Sequence, residues 1–100
     1  MTEKRKQTYD LDAIKAAFSS AQGLRATGTA IKGAAALGYG RAEIVATIQT
    51  IERRQFFKSM TAYADHTVWQ DVYRPRTRSG DLYLKLTVIE DVLVVSFKEL

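Results

Sequence analysis

A chain of 100 residues suits one small domain with a single hydrophobic core, and residues 1–100 read as that one domain. The absence of Cys excludes disulfides, thiolate metal sites and cysteine nucleophiles, and a lone His with scattered acidic residues leaves no metal-binding pattern. The formal charge of +4 is modest but clustered, at Lys4, Arg5 and Lys6, at Arg53, Arg54 and Lys58, and at Arg74, Arg76 and Arg78, which fits either a polyanionic partner or plain solubility. No apolar run approaches the roughly 20 residues of a membrane span. No hydrophobic stretch follows the basic N-terminus as a secretory signal requires, so a cytosolic location with no membrane partner is expected.

In chain order, Met1–Gln7 is charged and expected to be loosely ordered. Asp10 is placed to cap a first helix, in which Leu11, Ile14, Ala17, Phe18 and Ala21 recur at helical spacing and Gly23 follows the last turn. A second helix after Thr27 carries Ala30, Ile31, Ala34, Ala35 and Leu37, with Gly38 as its stop. A third starts at Arg41, with Ile44, Val45, Ile48 and Ile51 on one face and Arg53 and Arg54 in its last turn, where cations suit the helix dipole. Gln55–Asp65 admits a helical extension, a short strand, or both.

The period then changes to two. Val68–Arg74, Leu82–Ile89 and Val92–Lys98 read as strands, with Pro75–Gly80 as a loop and Glu90 and Asp91 as a turn. Helices first and an antiparallel sheet afterwards make an α+β domain in which N-terminal helices pack on a C-terminal sheet.

Alternation in the last two strands predicts their pairing. A tight turn at Glu90 and Asp91 sets Val88 against Leu93, Leu86 against Val95 and Leu84 against Phe97, so that every apolar residue shares one side. On the other side, Tyr83 meets Lys98 and Lys85 meets Ser96, with paired Cβ atoms about 5 Å apart. If Arg74 pairs with Asp81, then Gln70 meets Lys85 and Val72 meets Tyr83. Trp69 and Tyr73 then turn to the core, and Asp71 faces inward beside Leu84, which is an awkward place for a carboxylate.

A Lys and Tyr surface of this kind suits RNA cleavage by internal transfer. That reaction needs a base for the 2′-hydroxyl, cations for the charged phosphorane and an acid for the leaving 5′-oxygen, with no metal or cofactor demanded. Free Lys and Tyr both titrate near pH 10, so either must be perturbed to act as a base near neutrality. A merely solvated strand face is the competing reading. His66 is either an acid–base group or a locally bonded loop histidine. Phe56, Phe57, Tyr63, Trp69 and Tyr73 either stack on bases or pack in the core, and core packing is expected for most of them.

The stretch FFKSMTAYADHTVWQDVYRPR, followed by YLKLTVIEDVLVVSFKE, resembles the motility quorum-sensing regulator (MqsR) family of bacterial toxins. The resemblance is dense from Phe56 to Glu99. It implies a RelE-like toxin fold and a toxin of a type II toxin–antitoxin system. Such toxins cleave mRNA without the ribosome, with a preference associated with GCU-type triplets, and are neutralised by an MqsA antitoxin. Matched residue by residue, it implies that Lys58, Gln70, Tyr83 and Lys98 are catalytic. Lys58 and Lys98 are assigned to phosphate charge, one of them also to proton transfer; Tyr83 is assigned to proton transfer or orientation, and Gln70 to positioning. Lys85, Arg74 and Arg76 are expected to contact RNA. Phe57 departs from the Tyr expected in related toxins, a difference that bears on triplet preference. The rival readings are a non-catalytic RNA- or DNA-binding regulatory module and a protein-interaction domain.

Overall fold

Each helix begins where a side chain answers a free backbone donor. The computed structural model describes residues 2–18 and 21–100. Helix α1 spans Leu11–Ala17, and the Asp10 carboxylate accepts from the Ala13 N–H at 3.3 Å. Helix α2 spans Gly28–Ala36, and Thr27 Oγ1 accepts from the Ala30 N–H at 3.1 Å. Helix α3 spans Arg41–Thr50, and Glu43 reaches back to the Gly40 N–H at 2.7 Å. Gly38 ends α2 with a φ of 78°, a left-handed conformation that glycine takes at little cost.

Two helix ends differ from expectation. Helix α1 stops at Ala17 rather than running toward Gly23, which instead closes a separate 3-10 turn, Ala21–Gly23; the Ala21 side chain lies outside the described residues. Arg53 and Arg54 are not in the last turn of α3. The backbone turns extended at Ile51, and the two arginines fall in a second 3-10 turn, Arg53–Gln55.

Six strands form the sheet: β1 Glu3–Lys4, β2 Phe56–Thr61, β3 Trp69–Tyr73, β4 Arg76–Thr77, β5 Gly80–Ile89 and β6 Asp91–Glu99. All strand pairs are antiparallel, in the order β1–β2–β3–β5, with β6 on β5 and the short β4 folded back on its start. The ambiguous segment therefore holds a strand over Phe56–Thr61, with Gln55 closing a 3-10 turn before it. Residues expected to be loose supply β1, pairing Glu3 with Met60 and Lys4 with Ser59; Met1 lies outside the described residues.

The β5–β6 hairpin keeps the expected pairs Tyr83–Lys98, Leu84–Phe97 and Lys85–Ser96. Beyond them a bulge intervenes, so that Leu86 meets Val94 rather than Val95, and Val88 meets Val92 rather than Leu93. Val92 and Val94 are consequently the buried pair. The turn is tighter than expected: Ile89 pairs with Asp91 across Glu90, whose φ is 64°.

The register of β3 is shifted by two residues from expectation. Val72, not Gln70, faces Lys85, and Asp81 pairs with Arg76 rather than Arg74. A two-residue shift keeps each side chain on its face, so Asp71 still points inward and is fully buried. Its placement is resolved by the segment before α1. The carboxylate accepts from the Thr8 N–H at 3.0 and 3.1 Å and from the Tyr9 N–H at 2.9 Å. Trp69 does not join the core; it is half-buried, with Lys4 Nζ 4.2 Å from its ring centroid.

The core lies between the helices and one sheet face. Ile14, Phe18, Ala34 and Ile48 from the helical half meet Tyr73, Leu84, Leu86 and Phe97 from the strands. Helix α2 also guards the outer edge of β6, an edge that otherwise invites pairing with other chains. Val94 exchanges backbone hydrogen bonds with Arg25 and Thr27, and Thr27 Oγ1 donates to the Val95 carbonyl at 2.7 Å. Gly33 brings α2 against the Phe97 carbonyl so closely that a Cβ there would lie 2.0 Å from its oxygen.

Candidate functional site

The sheet face opposite the helices carries a row across four strands. Lys58 of β2 pairs with Val72 of β3, Val72 with Lys85 of β5, and Lys85 with Ser96 of β6. Adjacent strands lie about 4.8 Å apart, so the two lysines flank Val72. That valine is fully buried although it belongs to the open face, as the lysine stems can cover apolar surface while their ammonium groups stay outward. One pair along, Tyr83 meets Lys98. The Lys98 and Lys85 ammonium groups lie 5.1 and 5.8 Å from the Tyr83 ring centroid.

The environments of these groups differ. Lys58 forms an ion pair with Glu3, supplied by β1 alongside, and only 22% of its side chain is exposed. Lys98 is exposed. Tyr83 is partly buried, and burial raises its phenol pKa above the ordinary tyrosine range; Lys58 and Arg74 pull it down and Glu3 pushes it up. Lys85 is also partly buried, and burial lowers its ammonium pKa, with the charges of Lys98 and Lys58 acting in the same direction. The face thus holds a phenol that keeps its proton beside an amine that gives one up more readily than a free lysine.

The remaining predicted residues spread outward from this centre. Gln70 occupies the same face of β3 opposite Met60, about 7 Å along the strand from Val72. It therefore lies diagonal to both Lys58 and Lys85 rather than directly opposite Lys85. Arg74 follows β3, and its guanidinium stacks 3.6 Å from the Phe57 ring centroid. Arg76 ion-pairs with Asp81 at 3.2 Å. Both arginines line an open cleft of about 520 Å³ together with Arg54 and Phe57. His66 is exposed in the β2–β3 connection, and Tyr63 there is 88% exposed. Of the aromatics expected in the core, Tyr73 and Phe56 pack there, at 5.5 Å between ring centroids.

Sequence reasoning missed Glu3 and did not place Phe57 or Arg54. Glu3 reaches Lys58 only because β1 docks on β2, a pairing across more than fifty residues with no local signal. Phe57 sits at a break in the β2–β3 register, between Phe56, which meets Tyr73, and Lys58, which meets Val72. It serves as a platform for cations, with Arg5 and Lys58 at 5.6 and 5.4 Å in addition to Arg74. Arg54 enters the cleft because the 3-10 turn, not α3, carries it. Among the described residues, no group of three or more His, Cys, Asp or Glu side chains gathers to hold a metal ion, and no helix is long and apolar enough to cross a membrane.

Comparison with known proteins follows the same stretch of chain. The family described as "Motility quorum-sensing regulator, toxin of MqsA" matches residues 6–99. A protein of Escherichia coli (strain K12) named "mRNA interferase toxin MqsR" is 46% identical over 97 residues, covering 97% of this chain and 98% of its own length. The chain belongs to the motility quorum-sensing regulator toxin family.

Proposed function

We propose that this member of the motility quorum-sensing regulator toxin family is a ribosome-independent endoribonuclease that cleaves mRNA, with a GCU-type triplet preference and a RelE-like fold. Its action would stop translation and growth in a bacterial cytoplasm until an MqsA-type antitoxin binds it. The observation that carries the reading is the convergence of Lys58, Tyr83, Lys85 and Lys98 on one uncovered sheet face, in a chain related over nearly its whole length to a protein named as an mRNA interferase.

The chemistry is internal transfer. The 2′-oxygen attacks the adjacent phosphorus, the P–O5′ bond breaks, and the products are a 2′,3′-cyclic phosphate and a 5′-hydroxyl. Lys58 and Lys98 balance the extra charge on the phosphorane. The Tyr83 phenol, whose pKa burial raises further above the ordinary tyrosine range, orients the phosphate or gives a proton to the leaving oxygen. Gln70 positions the phosphate or a base edge. Arg74 and Arg76 hold neighbouring phosphates along the cleft beside Phe57, and Lys85 contacts the RNA at the centre of the face.

The test is incubation of purified protein with a defined RNA in EDTA, with end-group analysis of the products. Discrete fragments ending in 2′,3′-cyclic phosphate or 3′-phosphate support metal-independent cleavage, and mapping the cuts gives the triplet. Binding without cutting supports a non-catalytic RNA-binding module instead. Lys98→Ala is expected to abolish cleavage while keeping the far-ultraviolet spectrum, because Lys98 is exposed and outside the core. A folded Lys98→Ala protein with full activity would sink the site.

A further inference from the structure

We infer that the Lys85 ε-amine is the general base that removes the proton from the attacking 2′-hydroxyl. This rests on the ribonuclease reading above and assigns the step that it leaves open. Four groups on the face are able to exchange protons, and their surroundings separate them. Lys58 is ion-paired to the Glu3 carboxylate. Lys98 is exposed to solvent on β6. Tyr83 keeps its proton because burial disfavours the phenolate and is the donor of the set. Lys85 makes no ion pair among the described residues.

Lys85 also has the central position. Neutral Val72 and Ser96 are its direct cross-strand neighbours. The charged groups around it are Lys58 with its partner Glu3 on the β2 side, Lys98 on β6, and Arg74 beyond Tyr83. Two ammonium groups and partial burial both favour its neutral amine. A phosphate held by Lys58 and Lys98 would lie over Lys85, with its 2′-hydroxyl within reach of the amine. The proton balance then closes. The 2′-hydroxyl proton passes to Lys85 Nζ as the 2′-O–P bond forms, and the departing 5′-oxygen takes a proton from Tyr83 as the P–O5′ bond breaks.

Steady-state cleavage of a short RNA with a mapped cut site tests the assignment in wild type, Lys85→Arg and Lys85→Ala. Lys85→Arg keeps the positive charge but cannot lose its proton, so kcat is expected to fall roughly 10²–10⁴-fold with KM little changed. Wild-type kcat should rise with pH along a limb that Lys85→Arg lacks. Added primary amines should restore turnover to Lys85→Ala in the order of their basicity. Should Lys85→Ala fail to fold, Lys85→Met covers Val72 and takes the same amine series. A Lys85→Arg protein that turns over near the wild-type rate overturns the assignment and leaves Lys85 a phosphate contact. A wild type that cuts no RNA sinks the ribonuclease reading itself, and the base with it.

Discussion

Gly33→Ala in helix α2 sets two effects of opposite sign against each other. On helix propensity alone the change should stabilise by about 1 kcal/mol. The structure reverses that sign. The new Cβ would lie 2.0 Å from the Phe97 carbonyl oxygen and 3.1 Å from its carbon. Non-bonded carbon contacts settle near 3.5–4.0 Å, so α2 and β6 must part by more than about 1 Å. Phe97 cannot easily swing aside, because it is paired with Leu84 and is itself buried in the core. Overpacking of this kind costs about 3 kcal/mol at the upper end of its usual range. After the propensity gain, a net loss of about 2 kcal/mol remains, which lowers Tm by roughly 8–16 °C for a domain of this size.

The same displacement reaches the open face. The added Cβ would also lie 3.4 Å from Lys98 Cβ, so RNA cleavage should fall even at temperatures where the variant is fully folded. Thermal denaturation followed by circular dichroism measures the first effect and a cleavage assay the second. Gly28→Ala is the control, since nothing lies within 4 Å of a Cβ there, and its Tm should equal or slightly exceed that of wild type. A Gly33→Ala protein melting at or above wild type would refute the close approach of α2 and β6.

Asp71→Ala orphans the Thr8 and Tyr9 N–H donors beside a core strand, and urea unfolding should report a loss of about 3–5 kcal/mol; a loss below about 1 kcal/mol would mean that this carboxylate does not anchor the N-terminal segment. Arg74→Ala and Phe57→Ala separate charge from platform in RNA binding. Removing Arg74 should flatten the slope of log affinity against log salt by about 0.7. Removing the ring under it should weaken binding roughly two- to fivefold with the slope unchanged. Equal slopes for wild type and Arg74→Ala would show that Arg74 meets no phosphate.

Helix starts were legible because they are local. Asp10, Thr27 and the Gly40–Glu43 pair bond donors within three residues of themselves. The end of α1 was not, because the chain leaves Phe18 for a separate 3-10 turn and nothing in its apolar spacing marks the break. The strand faces were legible for a different reason. Alternation sorts the residues of each strand by face, and the tighter turn at Glu90 and the bulge offset each other, so Tyr83–Lys98 and Lys85–Ser96 fall where a two-residue turn would put them. The bulge after Lys85 was hidden, since it moves Val92 and Val94 inward in place of the equally apolar Leu93 and Val95.

By itself, then, the sequence determined that Tyr83 and Lys85 share the open face with Ser96 and Lys98, because side-chain alternation sets them opposite Leu84 and Phe97; nearer the turn the bulge reversed the parity. It also carried enough of a family pattern to point to Lys58 and Gln70. The tertiary structure decided how those strands line up. A shift of two residues between β3 and β5 leaves every residue on its own side, so alternation cannot see it; packing set Val72, not Gln70, beneath the two lysines. Only the docked β1 brought Glu3 to Lys58, and only the packing of the face half-buried Lys85 near Lys58 and Lys98, where burial and their charges lower its pKa. These are properties of neighbours far apart in the chain.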